Sequence, residues 1–356
     1  MKRRLSVFAV SLFVFLVWAN PGLACTSFVL QDEDKVVFGK SYDWNQGLAL
    51  VFVNKRGVSK TAWTGARFKG RPVKWVSKYG SLTFNQYGRE FPTGGINEAG
   101  LVIEVSLLAS ASYPPVDARP YVGSVLQWEQ YVLDTCNTIE QVVAANSKIR
   151  IPPVGQVGIH FLAGDKSGSC ASVEFIDGRT VVHTGPTMPV KTLTNSTYAS
   201  SIKEWTSGAE PNNIYDDSIR RFIDAADMVR RFGWVKDKPA IGYAFSVLDR
   251  VKRGQTQWQI VYDITQGMAH FKTKINGKLR SIDTRNFDYS CASPVLMLDI
   301  DVNPAGDVTG MFAPYTRAAN RELVGRSRSR TSFLQDTPKA EMDRIADYPE
   351  TSACDQ

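Results

Sequence analysis

The chain predicts a layered α+β fold, with sheets in the middle and helices outside. Three observations carry this. Short β-rich segments separated by turn residues run through most of the chain. Helical periodicity is confined to two clusters, and no repeat or long linker divides the sequence. Residues 25–356 therefore read as a single domain whose tail, from about residue 325, is peripheral, behind a distinct segment, 1–24.

That leading segment reads as an export signal. Lys2, Arg3 and Arg4 precede an apolar run over residues 5–18, shorter than the roughly 20 residues of a spanning helix. Pro21 and Gly22 break the run, and Gly22 and Ala24 are the small residues that cleavage after Ala24 requires. An uncleaved anchor helix is the competing reading. Cleavage predicts a periplasmic or secreted protein with no stable membrane anchor, and it makes Cys25 the first residue.

From there the elements follow in order. Residues 26–30 and 36–44 flank a polar turn and predict a hairpin, whose return arm can bring Lys40 and Asp43 beside Cys25. Residues 48–54 are a third strand. Residues 82–85 and 101–105 are strand-like on either side of a glycine-rich bend, 94–100, in which Asn97 reads as a structural turn residue. Val125, Trp128, Val132 and Cys136 recur at helical spacing and predict one helix over 122–143. Residues 159–163, 171–175 and 181–182 form an antiparallel meander. The second helical cluster is 217–232 and 240–252. A further hairpin covers 257–263 and 268–273, a strand covers 294–302, and the polar tail holds a short helix at 317–324.

Composition excludes some functions. The formal charge is +7, three of it on the signal, and no interleaved basic and aromatic surface suggests nucleic acid. Five cysteines are present: Cys25, Cys136, Cys170, Cys291 and Cys354. If Cys25 stays a thiol, the other four allow three pairings, and Cys136 reads as a small buried apolar residue. The three histidines, His160, His183 and His270, stand far from any cysteine. Neither a metal nor another cofactor is expected.

Cys25 is the candidate nucleophile. A thiol has a pKa of about 8.5 and an α-amino group about 7.7–8.0, so a cysteine at the head of a chain can pass its proton to its own amine. The chemistry is acyl transfer: the thiolate attacks an amide carbonyl, the amine leaves, and water hydrolyses the thioester. Two other readings compete. Cys25 could carry a lipid, although Gly22 stands where that pattern wants an aliphatic residue, or it could have no special role. Trp44, Trp63, Trp75 and Tyr87 either line an acyl pocket or belong to the core.

Four blocks in order, Cys25-Thr26-Ser27-Phe28-Val29, then residues 38–44, then 95–101, then Leu193-Thr194-Asn195-Ser196, resemble the choloylglycine hydrolase family. That family of linear-amide C–N hydrolases includes bile salt hydrolases and penicillin V acylases. The resemblance implies a four-layer αββα N-terminal-nucleophile hydrolase sandwich. It also implies a small-molecule N-acyl amide substrate of penicillin V, acyl-homoserine lactone or conjugated bile acid type, and a homo-oligomer, a homotetramer in relatives. It gives Cys25 the nucleophile's role and Asp43 that of holding the α-amine. Asn195 becomes an oxyanion-hole donor and Arg221 the later active-site arginine, with Arg220 adjacent. Lys40 stands where many members carry arginine. The family's asparagine or tyrosine after the third block falls at Ser106-Leu107-Leu108, so substrate contacts there should differ. A related acyltransferase and a lipid-anchored, non-catalytic binding protein are the alternatives.

Overall fold

The computed structural model describes residues 24–64, 68–234 and 239–354; the expected signal, up to residue 23, lies outside them. Two large antiparallel sheets face each other between layers of helices. Among the described residues one sheet has seven strands, including Thr26–Asp32, Lys35–Asp43, Thr256–Asp263 and Met268–Thr273 as successive neighbours. The other has nine, in which Val102–Leu107 joins Ile159–Gly164 on one side and Gly94–Asn97 on the other. Aromatic rings close the space between them. Phe38 and Tyr262 from the first sheet meet edge to face at 6.2 Å, and Phe84 from the second meets Tyr262 at 6.1 Å and Phe271 at 5.8 Å, a geometry the ring quadrupoles favour.

Helices α1 (Val125–Thr135) and α2 (Ile139–Lys148) cover the nine-stranded sheet. The periodicity predicted one helix here; the chain makes two. Ser124 and Thr138 each accept a backbone N–H of the turn that follows, so each caps a separate start. Asn97 secures the break: its Nδ2 donates to the carbonyls of Leu133 and Cys136 at 2.9 and 2.7 Å, while its Oδ1 accepts from the Ala99 and Leu101 amides. Helix α3 (Tyr198–Thr206), not foreseen in the sequence, is capped by Thr197. Helices α4 (Asp217–Arg231) and α5 (Ala240–Val251) cover the seven-stranded sheet. Ala244, Val247, Leu248 and Val251 bury against Phe28, Leu30 and Val37 there. The stack is the αββα arrangement expected.

The bend at 94–100 begins as a strand, Gly94–Asn97, paired on both sides with Ser81–Asn85 and Val102–Leu107; Gly94 sits opposite Glu104, whose carboxylate a Cβ there would meet. Cys291 and Cys354 form a disulfide; Cys25, Cys136 and Cys170 are free and buried. The tail is more than peripheral. Helices α6 (Arg317–Ser329) and α7 (Lys339–Asp347) bury Val324, Ile345 and Ala346 against Phe91 and Tyr348, and the last strand, Ala353–Cys354, pairs with Val58–Thr61. No helix among the described residues is long and apolar enough to cross a membrane.

Candidate active site

The first hairpin positions the nucleophile. Its register sets Thr26 against Ser41 and Ser27 against Lys40, so Cys25, one residue earlier, lies beside the end of the return arm. Its Sγ lies 3.9 Å from the Asp43 carbonyl oxygen. Cys25 is only 3% exposed. Burial pushes the thiol up; the Lys40 and Arg221 charges pull it down, and the Asp43 carboxylate opposes them. In the full chain the Cys25 nitrogen is still bonded to Ala24, so it becomes a base only when residues 1–24 leave.

Asp43 is buried, and its Oδ1 accepts from Ser41 Oγ at 3.0 Å. Its Oδ2 is buried without a hydrogen-bond partner. Burial pushes the carboxyl up to about 6, with Thr256, Arg221, Ser41 and Lys40 offsetting only part of that. An ammonium freed at Cys25 would be a charged group able to serve this oxygen, and its charge would favour the ionised acid. We therefore expect Asp43→Asn in the cleaved protein to lower kcat by roughly 10- to 100-fold with little change in KM. The low-pH limb that the carboxylate contributes to the kcat profile, at or below about pH 6, should vanish with it. A parallel rise in KM would show that Asp43 serves binding instead.

Arg221 is the hub of the site, only 1% exposed. One nitrogen, Nη1, donates to the Cys25 carbonyl at 2.6 Å and to Thr26 Oγ1 at 2.8 Å; Nη2 donates to Asn195 Oδ1 at 2.9 Å; Nε pairs with Asp217 at 2.9 Å. Helix α4 presents it: Asp216 caps the helix, and Asp217 and Arg221 are one turn apart. The neighbouring Arg220 faces outward, its side chain 40% exposed, which resolves the choice between the two arginines. Asn195 Nδ2 donates to the Leu107 carbonyl at 2.8 Å, and its backbone N–H donates to Ser218 Oγ on α4. One N–H of the side-chain amide remains for an oxyanion.

Lys40 is fully buried among neutral acceptors, the Val105 carbonyl, Ser106 Oγ at 3.3 Å and Ser27 Oγ at 3.4 Å. Thus Ser106 serves Lys40, and Leu107, next along the strand, lines the cavity. Of the five predicted site residues, Cys25, Asp43, Asn195 and Arg221 are joined by hydrogen bonds, and Lys40 acts on Cys25 and Asp43 through its charge.

Several neighbours were not foreseen. Glu104 accepts from Tyr262 at 2.7 Å; burial pushes it up to about 7 against the pull of Lys40. A lone acid in the apolar run 101–105 was its signal. Buried His160 bridges Glu174 at 2.9 Å and the Thr194 carbonyl at 2.7 Å, steadying the residue before Asn195; sequence spacing carries no trace of that link. The tail was missed as well. A cavity of about 160 Å³ opens on Cys25, with Trp44, Trp63, Tyr87 and Leu107 in its wall, and Arg328, Phe333, Leu334 and Ile345 from the tail complete it. Trp75 lies outside the cavity, bonded to Asp134 in the core.

A buried thiol at the start of a strand, in facing sheets flanked by helices, defines the N-terminal-nucleophile hydrolase architecture. The chain belongs to the family described as acyl-coenzyme A:6-aminopenicillanic acid acyl-transferase, whose sequence model matches residues 30–232. Within that architecture it groups with the choloylglycine hydrolase and penicillin V acylase type. It is 24% identical over 363 residues to a penicillin V acylase of Pectobacterium atrosepticum, covering 87% of this chain and 95% of that one. The penicillin V acylase structure from Agrobacterium tumefaciens is 27% identical, with a TM-score of 0.71 over 82% of this chain and 98% of that one. A conjugated bile acid hydrolase of Clostridium perfringens, 18% identical with a TM-score of 0.65 over 80% of this chain and 98% of that one, shares the fold.

Proposed function

We propose that the chain is exported to the periplasm or beyond, loses residues 1–24, and then hydrolyses the C–N bond of N-acyl amides through a thioester on Cys25. The Cys25 sulfur forms a bond to the acyl carbon, the C–N bond breaks, and the departing amine takes a proton from the Cys25 ammonium. Water then releases the acid. The observation that carries this reading is the buried thiol at a cavity that is otherwise mostly apolar, with Lys40 and Arg221 acting on it. Hydrolysis is what the penicillin V acylase relatives do by name. A cavity near 160 Å³ is about the size that accepts one aromatic ring, which favours phenoxyacyl amides among the substrates considered. The family's acyl-transferase description supports a second reading, in which an amine takes the acyl group from Cys25. The homo-oligomer implied by the resemblance belongs to the same proposal.

One experiment tests this. The protein purified from a host that exports it is given penicillin V, an N-acyl-homoserine lactone and a glycine-conjugated bile acid, with and without added amines. Release of free acid, fastest for penicillin V, is the expected result. Transfer to the amine in preference to water supports the second reading. No cleavage of any of the three, or a diacylglyceryl group on Cys25 by mass spectrometry, sinks the proposal.

A further inference from the structure

The tail helix α6 treats one arginine differently from the rest. Arg317, Arg321 and Arg326 face solvent and pair with carboxylates, Arg317 with Asp347 at 2.8 Å, Arg321 with Asp343 and Asp347, and Arg326 with Glu322 at 3.0 Å. Arg328 turns inward to the cavity that holds Cys25. Among the described residues it is the one charged side chain in that wall, and it forms no ion pair. Its Nη1 donates to Thr337 Oγ1 at 3.1 Å, and its Nε is buried without a partner. Glu341, the acid whose charge acts on Arg328, is engaged by Arg344 at 3.1 Å. Burial pulls the guanidinium down from its ordinary range, with Glu341 and Tyr87 compensating in part, yet an arginine keeps its charge in a protein. Arg328 is half-buried, a cation partly withdrawn from water without a counter-charge is costly, and a guanidinium is shaped to take a carboxylate on two parallel N–H groups.

Its surroundings are built. Trp44 Nε1 donates to Tyr87 OH at 2.8 Å, and Tyr87 OH lies 3.1 Å from Thr331 Oγ1, just beyond α6. Phe333 meets the Trp44 ring edge to face at 6.2 Å. The nucleophile and the unpaired cation thus open on one apolar space, and the tail forms part of its wall.

We propose that Arg328 is a specificity-determining residue that receives a carboxylate at the distal end of the acyl half of the substrate, so that the preferred acyl groups are those of dicarboxylic acids. The inference rests on the cleavage reaction proposed above. With the acyl carbonyl at Cys25, the acyl chain fills the apolar cavity and its far end meets the Arg328 charge. Discrimination follows from pairing: a neutral acyl chain of the same shape leaves the guanidinium desolvated and unmatched, whereas a carboxylate satisfies it.

The test compares matched anilides, hexanoyl against adipoyl and phenylacetyl against 4-carboxyphenylacetyl, in wild type, Arg328→Met and Arg328→Lys. In wild type, kcat/KM is expected to favour the carboxylated member of each pair. In Arg328→Met the loss on the carboxylated member should exceed the loss on the neutral one by about 10- to 100-fold, with Arg328→Lys recovering part of the preference. Equal losses on both members overturn the proposal, as does a preference that follows a carboxylate on the amine half. Cleavage of the neutral anilides alone, with no response to Arg328, rejects this inference while leaving the hydrolase reading intact. If no anilide is cleaved, titration of Cys25→Ser with adipate and hexanoate still decides: binding of adipate that is stronger than hexanoate and lost in the Cys25→Ser, Arg328→Met double variant supports the assignment, and equal binding ends it. Thermal melting of each variant separates unfolding from a local effect.

Discussion

Cys25→Ser should leave export and cleavage intact and lower amide hydrolysis by roughly a thousandfold or more, the scale seen when a nucleophile is removed from an otherwise complete site. The serine hydroxyl takes the same place at the end of the hairpin, and the amine remains its neighbour. What disappears is acidity. A thiol can pass its proton to the neighbouring amine, whereas a hydroxyl is far too weak an acid, and the Lys40 and Arg221 charges that act on the sulfur then have no anion to stabilise. On the proposed cleavage after Ala24, Edman sequencing of the variant should read serine in the first cycle. Steady-state assays on penicillin V and trapping of the acyl-enzyme by mass spectrometry are the measurements. Full turnover by the serine variant would place the nucleophile elsewhere; a serine variant that accumulates a long-lived acyl ester would instead confirm the position and locate the defect in deacylation.

Arg221→Met should have the next largest effect, and on two observables at once. The arginine holds the Cys25 carbonyl, Thr26, Asn195 and Asp217 together. Methionine fills much of the space and leaves the Cys25 carbonyl, Thr26 and Asn195 without this donor, while Asp217 keeps its pairs with Arg253 and Arg220. A buried acceptor left without its donor typically costs about 1–3 kcal/mol, so the melting temperature should fall. The surviving folded fraction should lose about 100-fold or more in kcat/KM, because Asn195 and Cys25 are no longer held in register. Arg221→Lys separates the roles: the charge stays, but an ammonium lacks the planar fork that serves four groups. Lysine should recover stability better than rate. Arg220→Met is the control. Arg220 is half-exposed and paired to Asp217 at 3.1 Å, so its loss should cost about 1 kcal/mol or less. Equal effects at positions 220 and 221 would contradict the geometry.

The sequence alone determined a good deal. The signal-like head, the cysteine after it and the hairpin alternation led to Cys25, Lys40 and Asp43, because those residues lie on one local unit whose register follows from turn length and period. The layered fold was legible in the same way, since strands and helices with strong periodicity declare themselves locally. Asn195 and Arg221 came from a resemblance in ordered blocks, and the structure puts both in hydrogen-bond contact with each other. It also separates Arg221 from Arg220, a distinction that helix phase and burial make and a doubled arginine cannot.

Tertiary structure decided the rest. The split of 122–143 into α1 and α2 depends on Asn97, a residue from a distant bend that takes the carbonyls at the break. The pairing of Cys291 with Cys354 was one of three arrangements, and only their proximity in space selects it. Lys40, expected simply as a charge beside the nucleophile, proves to be held by carbonyl and hydroxyl oxygens from a facing strand. The tail, too polar and weakly periodic to announce a role, folds back to supply Arg328 and Phe333 to the cavity wall. Local pattern specifies which residues can form a strand, a helix or a nucleophile. It does not specify which distant surface will close over them, because that depends on packing between segments hundreds of residues apart, and the tail side of this cavity is made there.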